Sequence, residues 1–317
     1  MREIKIGIND AGQRLDKFIT KTYPSMPKSL VYKLIRKKQI KINKKRVKEN
    51  FIISEGDILT VYAPEDVFAE KKNDDFMGLK KQFPIVYEDK NILIADKPEG
   101  LLVHSDDSND RNTLINQIKF YLYSKCEYDP DEENSFAPAL CNRIDRNTQG
   151  LVIAAKNASS LREMNEIIKN RYLSKKYLAV IHGVPEKKSG EIKLFLEKDE
   201  KTNTVYVKDT KTAESKTAVT KYRIIDTSRD KKFSLAEIEL ITGRTHQIRV
   251  TFAHIGHPLL GDGKYAKNKD DREMGYKSQA LCAYSIEFSG CEKSEVLGYL
   301  NGKTVKAAKP RFLSIFY

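Results

Sequence analysis

Residues 141–157 read Cys-Asn-Arg-Ile-Asp-Arg-Asn-Thr-Gln-Gly-Leu-Val-Ile-Ala-Ala-Lys-Asn. A polar run centred on Asp145 stops at Gly150 and gives way to an apolar, β-branched run. That change reads as a tight loop delivering a carboxylate beside a buried strand. Arg143 and Arg146 flank Asp145, and a further basic segment lies at 244–249. An opposite charge within a few ångströms favours the ionised form of a carboxylate. Such a carboxylate is either a structural ion pair or a reactive group, and the charge pattern by itself favours the structural reading.

Working outward, the chain from residue 83 on is rich in short β-branched runs: 92–95, 151–154, 177–181, 217–225 and 235–241. Helical periodicity is clearest at 114–123 and 159–170. Strands outnumber helices and do not alternate with them, which predicts an α+β fold with a largely antiparallel mixed sheet. Neither a Walker loop nor a Gly-x-Gly-x-x-Gly turn after a strand is present, so no nucleotide cofactor is indicated.

Residues 1–62 have a different character. Asp10 is placed to cap a helix carrying Leu15, Phe18 and Ile19. A second helix is expected from about Ser25 or Met26, with Pro27 in its first turn and Leu30, Val31, Leu34 and Ile35 on one face. Short strands follow at Ile40–Ile42 and 58–62, with a turn at Asn43-Lys44-Lys45. The net charge of the chain is +13. Residues 17–48 hold twelve Lys and Arg and no acid, leaving 45 bases against 44 acids elsewhere. A concentrated single-sign patch points to a polyanion, and the absence of a long amphipathic run favours a nucleic acid over a membrane. Lys28, Lys33, Arg36, Lys37, Lys38, Lys44, Lys45 and Arg46 are the expected RNA-binding side chains. Residues 63–82 are polar and aperiodic and read as a mobile linker, leaving 83–317 as the catalytic domain.

Other totals narrow the class. There is no run of 18 apolar residues, so no membrane span is expected. No apolar leader follows Met1. Cys126, Cys141, Cys282 and Cys291 form no Cys-x-x-Cys pair, and with five scattered histidines they show no zinc spacing. They read as reduced thiols of a cytoplasmic protein.

Two resemblances draw these features together. Pro27-Lys28-Ser29-Leu30, 37–43 and Ser54-Glu55-Gly56-Asp57 resemble the small RNA-binding domain named after ribosomal small-subunit protein four. In the remainder, four segments line up: 96–104, Asn142-Arg143-Ile144-Asp145-Arg146-Asn147-Thr148-Gln149-Gly150, 175–183, and Thr242-Gly243-Arg244-Thr245-His246-Gln247-Ile248-Arg249-Val250 with 256–262. Their order and spacing resemble the RluA-like pseudouridine synthases. With the N-terminal module, the chain resembles the ribosomal large-subunit pseudouridine synthase C/D type.

The resemblance implies isomerisation of uridine to 5-ribosyluracil in structured RNA, most readily 23S ribosomal RNA, without metal or organic cofactor and with a monomeric enzyme. It implies Asp145 as nucleophile, Arg249 as its ion-pair partner and Tyr177 stacked on the base. It places Leu281 against the pocket and Arg143, Arg146, Arg244, His246 and Gln247 around the substrate. The last two are expected to fix the active-site loop. Asn142, Gln149 and Cys282 depart from the family pattern at positions that bear on RNA-site selection. A transfer-RNA substrate, or a non-catalytic RNA-binding assembly factor, are the alternatives.

Overall fold

A computed structural model describes residues 1–68, 75–105 and 110–317. The chain divides into two compact units. One comprises Met1–Lys81, Ile115–Ala139 and Ala155–Arg162; the other comprises Gln82–Leu114, Leu140–Ala154 and Glu163–Tyr317.

The first unit begins with β1 (Arg2–Lys5), α1 (Leu15–Thr22), α2 (Lys28–Arg36), β2 (Ile40–Ile42), β3 (Lys45–Arg46) and β4 (Ile58–Val61). The four strands form an antiparallel sheet in the order β1-β4-β2-β3. Leu15, Phe18 and Ile19 of α1 and Val31, Leu34 and Ile35 of α2 meet Ile40, Ile42, Leu59 and Val61 in one core. The two helical stripes and the alternation of β2 predict this packing. Asn43 and Lys44 both have positive φ (49° and 64°), the backbone that closes a tight two-residue hairpin between β2 and β3.

Asp10 does not cap α1. The first amides of that helix are taken by backbone carbonyls, Leu15 N–H by Phe51 and Asp16 N–H by Glu49. Asp10, 1% exposed, instead accepts hydrogen bonds from Gly7 N (3.2 Å), Asn134 Nδ2 (2.7 Å) and Ser135 N and Oγ (3.2 and 2.7 Å). This buried carboxylate ties the N-terminal turn to residues 134–135 and explains part of why the unit extends beyond residue 62. Within 63–82, Phe68 packs edge-on against Tyr23 and Phe76 packs against Tyr123 and Tyr128, so the stretch read as a mobile linker is docked at both points. Residues 69–74 of it lie outside the described residues.

The remaining elements are β5 (Ile85–Glu88), β6 (Ile92–Lys97), α3 (Leu114–Ser124), β7 (Ala139–Leu140), β8 (Gln149–Ala155), α4 (Ala158–Lys169), β9 (Leu173–His182), β10 (Ser189–Asp199), β11 (Thr204–Lys208), β12 (Lys216–Thr227), β13 (Phe233–Leu240), α5 (Gln247–His254), α6 (Lys269–Glu273), β14 (Leu281–Phe288) and β15 (Thr304–Lys306). Nine strands run in the order β11-β10-β12-β13-β9-β14-β8-β6-β5, with β15 paired to β14 and β7 to β8. The ladders from β11 through β14 are antiparallel, and β14 meets β8 in parallel. The β10–β11 hairpin and β14 are strands that the sequence pattern did not single out.

Alternation along β9 sorts the two faces of the sheet. Leu178 and Val180 share a core with Met164 and Ile167 of α4. Tyr177 pairs with Ile238, which pairs with Tyr222, and the Tyr222 ring packs on Phe252 of α5 at 5.6 Å. Helix α5 therefore covers the face that carries Tyr177.

Gly150 begins the buried part of β8 with φ of +113°, and a Cβ there would lie 2.3 Å from the Ala283 carbonyl oxygen of β14. Only glycine permits this approach of two backbones. Gly150→Ala is expected to destabilise the fold by ~2–4 kcal/mol. The check is the urea midpoint, which falls while the denaturant slope stays constant.

Candidate active site

The polar loop leading into β8 places Asp145 with its side chain 28% exposed, while its neighbour Ile144 is buried. The flanking arginines do not hold it. Arg143 is exposed, and Arg146 turns away to donate from Nε to the Gly100 carbonyl at 3.1 Å. The contact comes from α5: Arg249 Nη1 donates to Asp145 Oδ2 at 3.5 Å.

Arg249 is buried, and its shortest bonds go elsewhere. Nε and Nη2 donate to the two carboxylate oxygens of Asp262, each at 2.8 Å. A planar guanidinium matches a carboxylate in this two-point geometry. Burial works against the charge on Arg249, but the hydrogen bonds and charge of Asp262, with a further contribution from Asp145, push the guanidinium above its ordinary value. The Tyr265 ring lies under the guanidinium at 5.2 Å.

Asp262 is fixed by its turn. Gly261 has φ of +79°, and a Cβ there would meet the Ser278 carbonyl at 2.2 Å. Gly261 N–H donates to Asp271 Oδ2 at 2.7 Å, and Asn268 Nδ2 donates to the Gly261 carbonyl at 3.1 Å. Asp262 Oδ1 also accepts from Lys264 N at 3.0 Å, so the carboxylate cannot rotate without losing backbone bonds.

The start of α5 is set by the residues just before Arg249. His246 takes a left-handed conformation, φ 52°, which ends the preceding loop. Gln247 Oε1 accepts from Thr242 Oγ1 and Arg244 N, and its Nε2 donates to Val219 O and Thr220 Oγ1, all at 2.9–3.0 Å. Every donor and acceptor of that amide is engaged inside the protein, which fastens α5 to β12 and leaves none to face a ligand. Arg244 is exposed and donates to the Thr217 carbonyl at 3.1 Å.

His246 Nε2 lies 4.0 Å from Asp145 Oδ2, and its Nδ1 lies 2.7 Å from the Tyr265 hydroxyl. That hydroxyl already accepts from Val205 N–H. The Tyr265 hydroxyl therefore links His246 to the β11 backbone and holds the imidazole with Nε2 facing Asp145. Burial, opposed by Asp145 and aided by Arg249, holds the His246 imidazole below its ordinary value.

Two more groups bear on Asp145. Tyr177 lies within β9 rather than at its start; it is buried, and burial followed by the charge of Asp145 raises its phenol above the ordinary range. Its hydroxyl makes no hydrogen bond among the described residues. Lys97, fully buried, donates to the carbonyls of Pro98 (2.9 Å), Leu101 (2.8 Å) and Arg146 (2.7 Å). Burial pulls its ammonium down to about 7, against the raising pull of Asp145 and Glu99. Leu281 is buried and pairs with Ala179 of β9, and its neighbour Cys282 has its thiol pushed up to about 12 by burial.

The fold thus brings Asp145, Arg249, His246 and Tyr177 together, and it leaves Arg143, Arg146 and Arg244 at the surface. Asp262, Tyr265 and Lys97 had no assigned role. Gly261-Asp262 was visible as a turn signal ending the last motif, but a carboxylate thirteen residues from its partner carries no periodic signature.

Comparison with known proteins bears on this constellation. A model of the RNA pseudouridylate synthase family matches residues 91–254, and a model of the S4 domain matches 13–59. The chain belongs to the RNA pseudouridine synthases. It is 33% identical over 280 residues to the RNA pseudouridine synthase YlyB of Bacillus subtilis, covering 87% of this chain and 86% of that protein. It is 35% identical over 272 residues to the ribosomal large subunit pseudouridine synthase C of Buchnera aphidicola, covering 83% and 80%. Among solved structures, human RNA pseudouridylate synthase domain containing 1 superposes with a TM-score of 0.58 at 20% identity, covering 75% of this chain and 88% of that one. That likeness supports the fold. The enzyme is an isomerase acting on RNA, with an S4 RNA-binding domain at its N-terminus.

The His246 environment has a pH signature. Its imidazole takes up a proton less readily in the folded chain than in the unfolded one, so stability is lost as pH falls through the ordinary histidine value of 6.5. In His246→Gln the urea midpoint is expected to change less than in the parent protein between about pH 7 and pH 5. An identical pH profile in both would contradict the assignment.

Proposed function

We propose that this synthase modifies uridines of large-subunit (23S) ribosomal RNA, with Asp145 as the nucleophile and with the target base flipped out of its stack. The observation that carries the reading is the partly exposed Asp145 carboxylate, flanked by the Arg249 guanidinium at 3.5 Å and by an inward-facing tyrosine. The name of the Buchnera relative supports the ribosomal substrate.

In the isomerisation the C1′–N1 bond of uridine breaks, the uracil turns, and a C1′–C5 bond forms. C5 loses its proton and N1 ends carrying one, so the product has the same atoms as the substrate. A carboxylate serves such a sequence because it can add to an electrophilic carbon and depart again. Arg249 aims it, since small displacements of a reacting group are expensive in rate. Tyr177, its phenol protonated, offers a face to the flipped base and a hydroxyl for proton movement. No metal or organic cofactor is needed for this chemistry. A monomer working in the cytoplasm fits the reading.

Lys28, Lys33, Arg36, Lys37, Lys38, Lys44, Lys45 and Arg46 are all exposed, and none has an ion-pair partner among the described residues. They are free to contact phosphates, which supplies affinity and salt dependence without base identity.

Two outcomes test the proposal. Asp145→Asn is expected to abolish pseudouridine formation, read by carbodiimide labelling and primer extension on ribosomal RNA, while RNA binding persists; full activity in that variant refutes it. Replacing Lys33, Arg36, Lys37 and Lys38 by Gln is expected to weaken RNA binding and to flatten its log–log salt slope by about 1 for each phosphate these side chains neutralise. An unchanged slope removes α2 and its C-terminal end from the RNA interface.

A further inference from the structure

Beside the Asp145 loop, within the same unit, lies a cavity of about 240 Å³. That is room for roughly eight waters, more than a buried water site needs. Asn147 and Gln149 line one side, two and four residues after Asp145. Two residues of chain span at most about 7 Å, about one step along an unstacked nucleotide strand. Leu281 also borders the cavity, and Cys282 beside it pairs with Gln149 across β14 and β8.

The lining carries two chemical kinds of polar group. The Asn147 amide makes no hydrogen bond among the described residues, and Gln149 engages only the Cys282 thiol. Gln279, 5% exposed, commits its Nε2 to Thr148 Oγ1 at 3.3 Å, which fixes the wall behind them. Lys277 and Arg311, also in the lining, are exposed, and neither has a carboxylate partner among the described residues. Tyr276, half-buried, lines the cavity while packing against the core, and Glu99 is held by a hydrogen bond from Ser278.

Two side-chain amides, one of them without a partner among the described residues, two exposed cations and an aromatic ring match the parts of a nucleotide. Side-chain amides present a donor and an acceptor together, as the edge of a base requires. Guanidinium and ammonium groups bind phosphate oxygens. An aromatic ring offers a stacking surface to an unstacked base.

We propose that this cleft receives a nucleotide adjacent to the target uridine, reading its base with Asn147 and Gln149 and holding its phosphate with Lys277 and Arg311. The inference rests on the reading of Asp145 as the reacting group only for which nucleotide counts as the target. It makes residues 147–149, where this chain departs from the family pattern at Gln149, a determinant of site choice.

The test uses the full-length protein and a pool of RNA hairpins with randomised loops. Ultraviolet cross-linking followed by peptide mass spectrometry is expected to find nucleotide adducts on Tyr276. Sequencing of modified hairpins is expected to show a preference at a position flanking the modified uridine. Asn147→Ala is expected to relax that preference by roughly tenfold with the salt slope of binding unchanged. Adducts confined to residues 17–48, or a flanking preference identical in Asn147→Ala and the parent protein, overturn the proposal. If no hairpin is modified, the proposed reaction is what fails, and the presence or absence of the Tyr276 adduct still decides the cleft.

Discussion

The site depends on one buried cation. Taking a guanidinium out of water costs several kcal/mol unless its hydrogen bonds and charge are answered. Asp262 answers most of that demand through two bonds of 2.8 Å. Much of the local architecture exists to keep this pair in register. The Gly261 turn lies against the Ser278 carbonyl where no side chain fits, Asp271 holds the Gly261 amide, and Gln247 fastens the first turn of α5 to β12. Removing Asp262 alone would leave a buried charge with one distant partner, which is worse than never having had the pair.

The unequal sharing of Arg249 has a chemical consequence. Had Asp145 received the two-point contact, its oxygens would be saturated and any new contact to them would require breaking the strongest bonds in the site. With Asp262 as the permanent partner, Asp145 has one contact of 3.5 Å and a 28% exposed side chain. It is oriented by charge without being locked by it. The loop that carries it is stiffened from the backbone side: the Arg146 carbonyl accepts from both Lys97 Nζ at 2.7 Å and Gly100 N–H at 3.0 Å. A rigid loop bearing a lightly held carboxylate is what positional precision in catalysis asks for.

The fold class was legible because periodicity survives in this chain. The β-branched runs at 92–95, 151–154, 177–181, 217–225 and 235–241 all lie in strands, and 114–123 and 159–170 mark the two longest helices, give or take a residue. The β10–β11 hairpin was not legible, since each strand offers only a three-residue apolar run, Leu194-Phe195-Leu196 and Val205-Tyr206-Val207, set among charged and polar residues. At the site, the charge pattern alone set Asp145 between its flanking arginines, while the family resemblance pointed to Arg249 as its partner. Adjacency alone misleads there: Arg143 and Arg146 flank Asp145 in the chain yet do not pair with it, and Arg249, the partner the resemblance named, arrives from a helix more than a hundred residues later. Asp10 failed in the same way, because a capping residue and a buried clamp look alike until its donors at 134–135 are placed.

Charge is handled in two opposite manners along the chain. In the second unit the charges nearest Asp145 are answered at short range, by a carboxylate for Arg249 and by three carbonyls for Lys97. In the first, the basic side chains of 17–48 other than the half-buried Lys41 are exposed, and the segment makes no ion pair among the described residues. Salt screens the exposed charges strongly and the enclosed ones hardly at all. Affinity for RNA can therefore weaken with ionic strength while the geometry around Asp145 stays the same. A polyanion that reaches the enzyme through unpaired surface charge meets a site whose own charges are already committed, so the phosphates do not pull Arg249 away from Asp262.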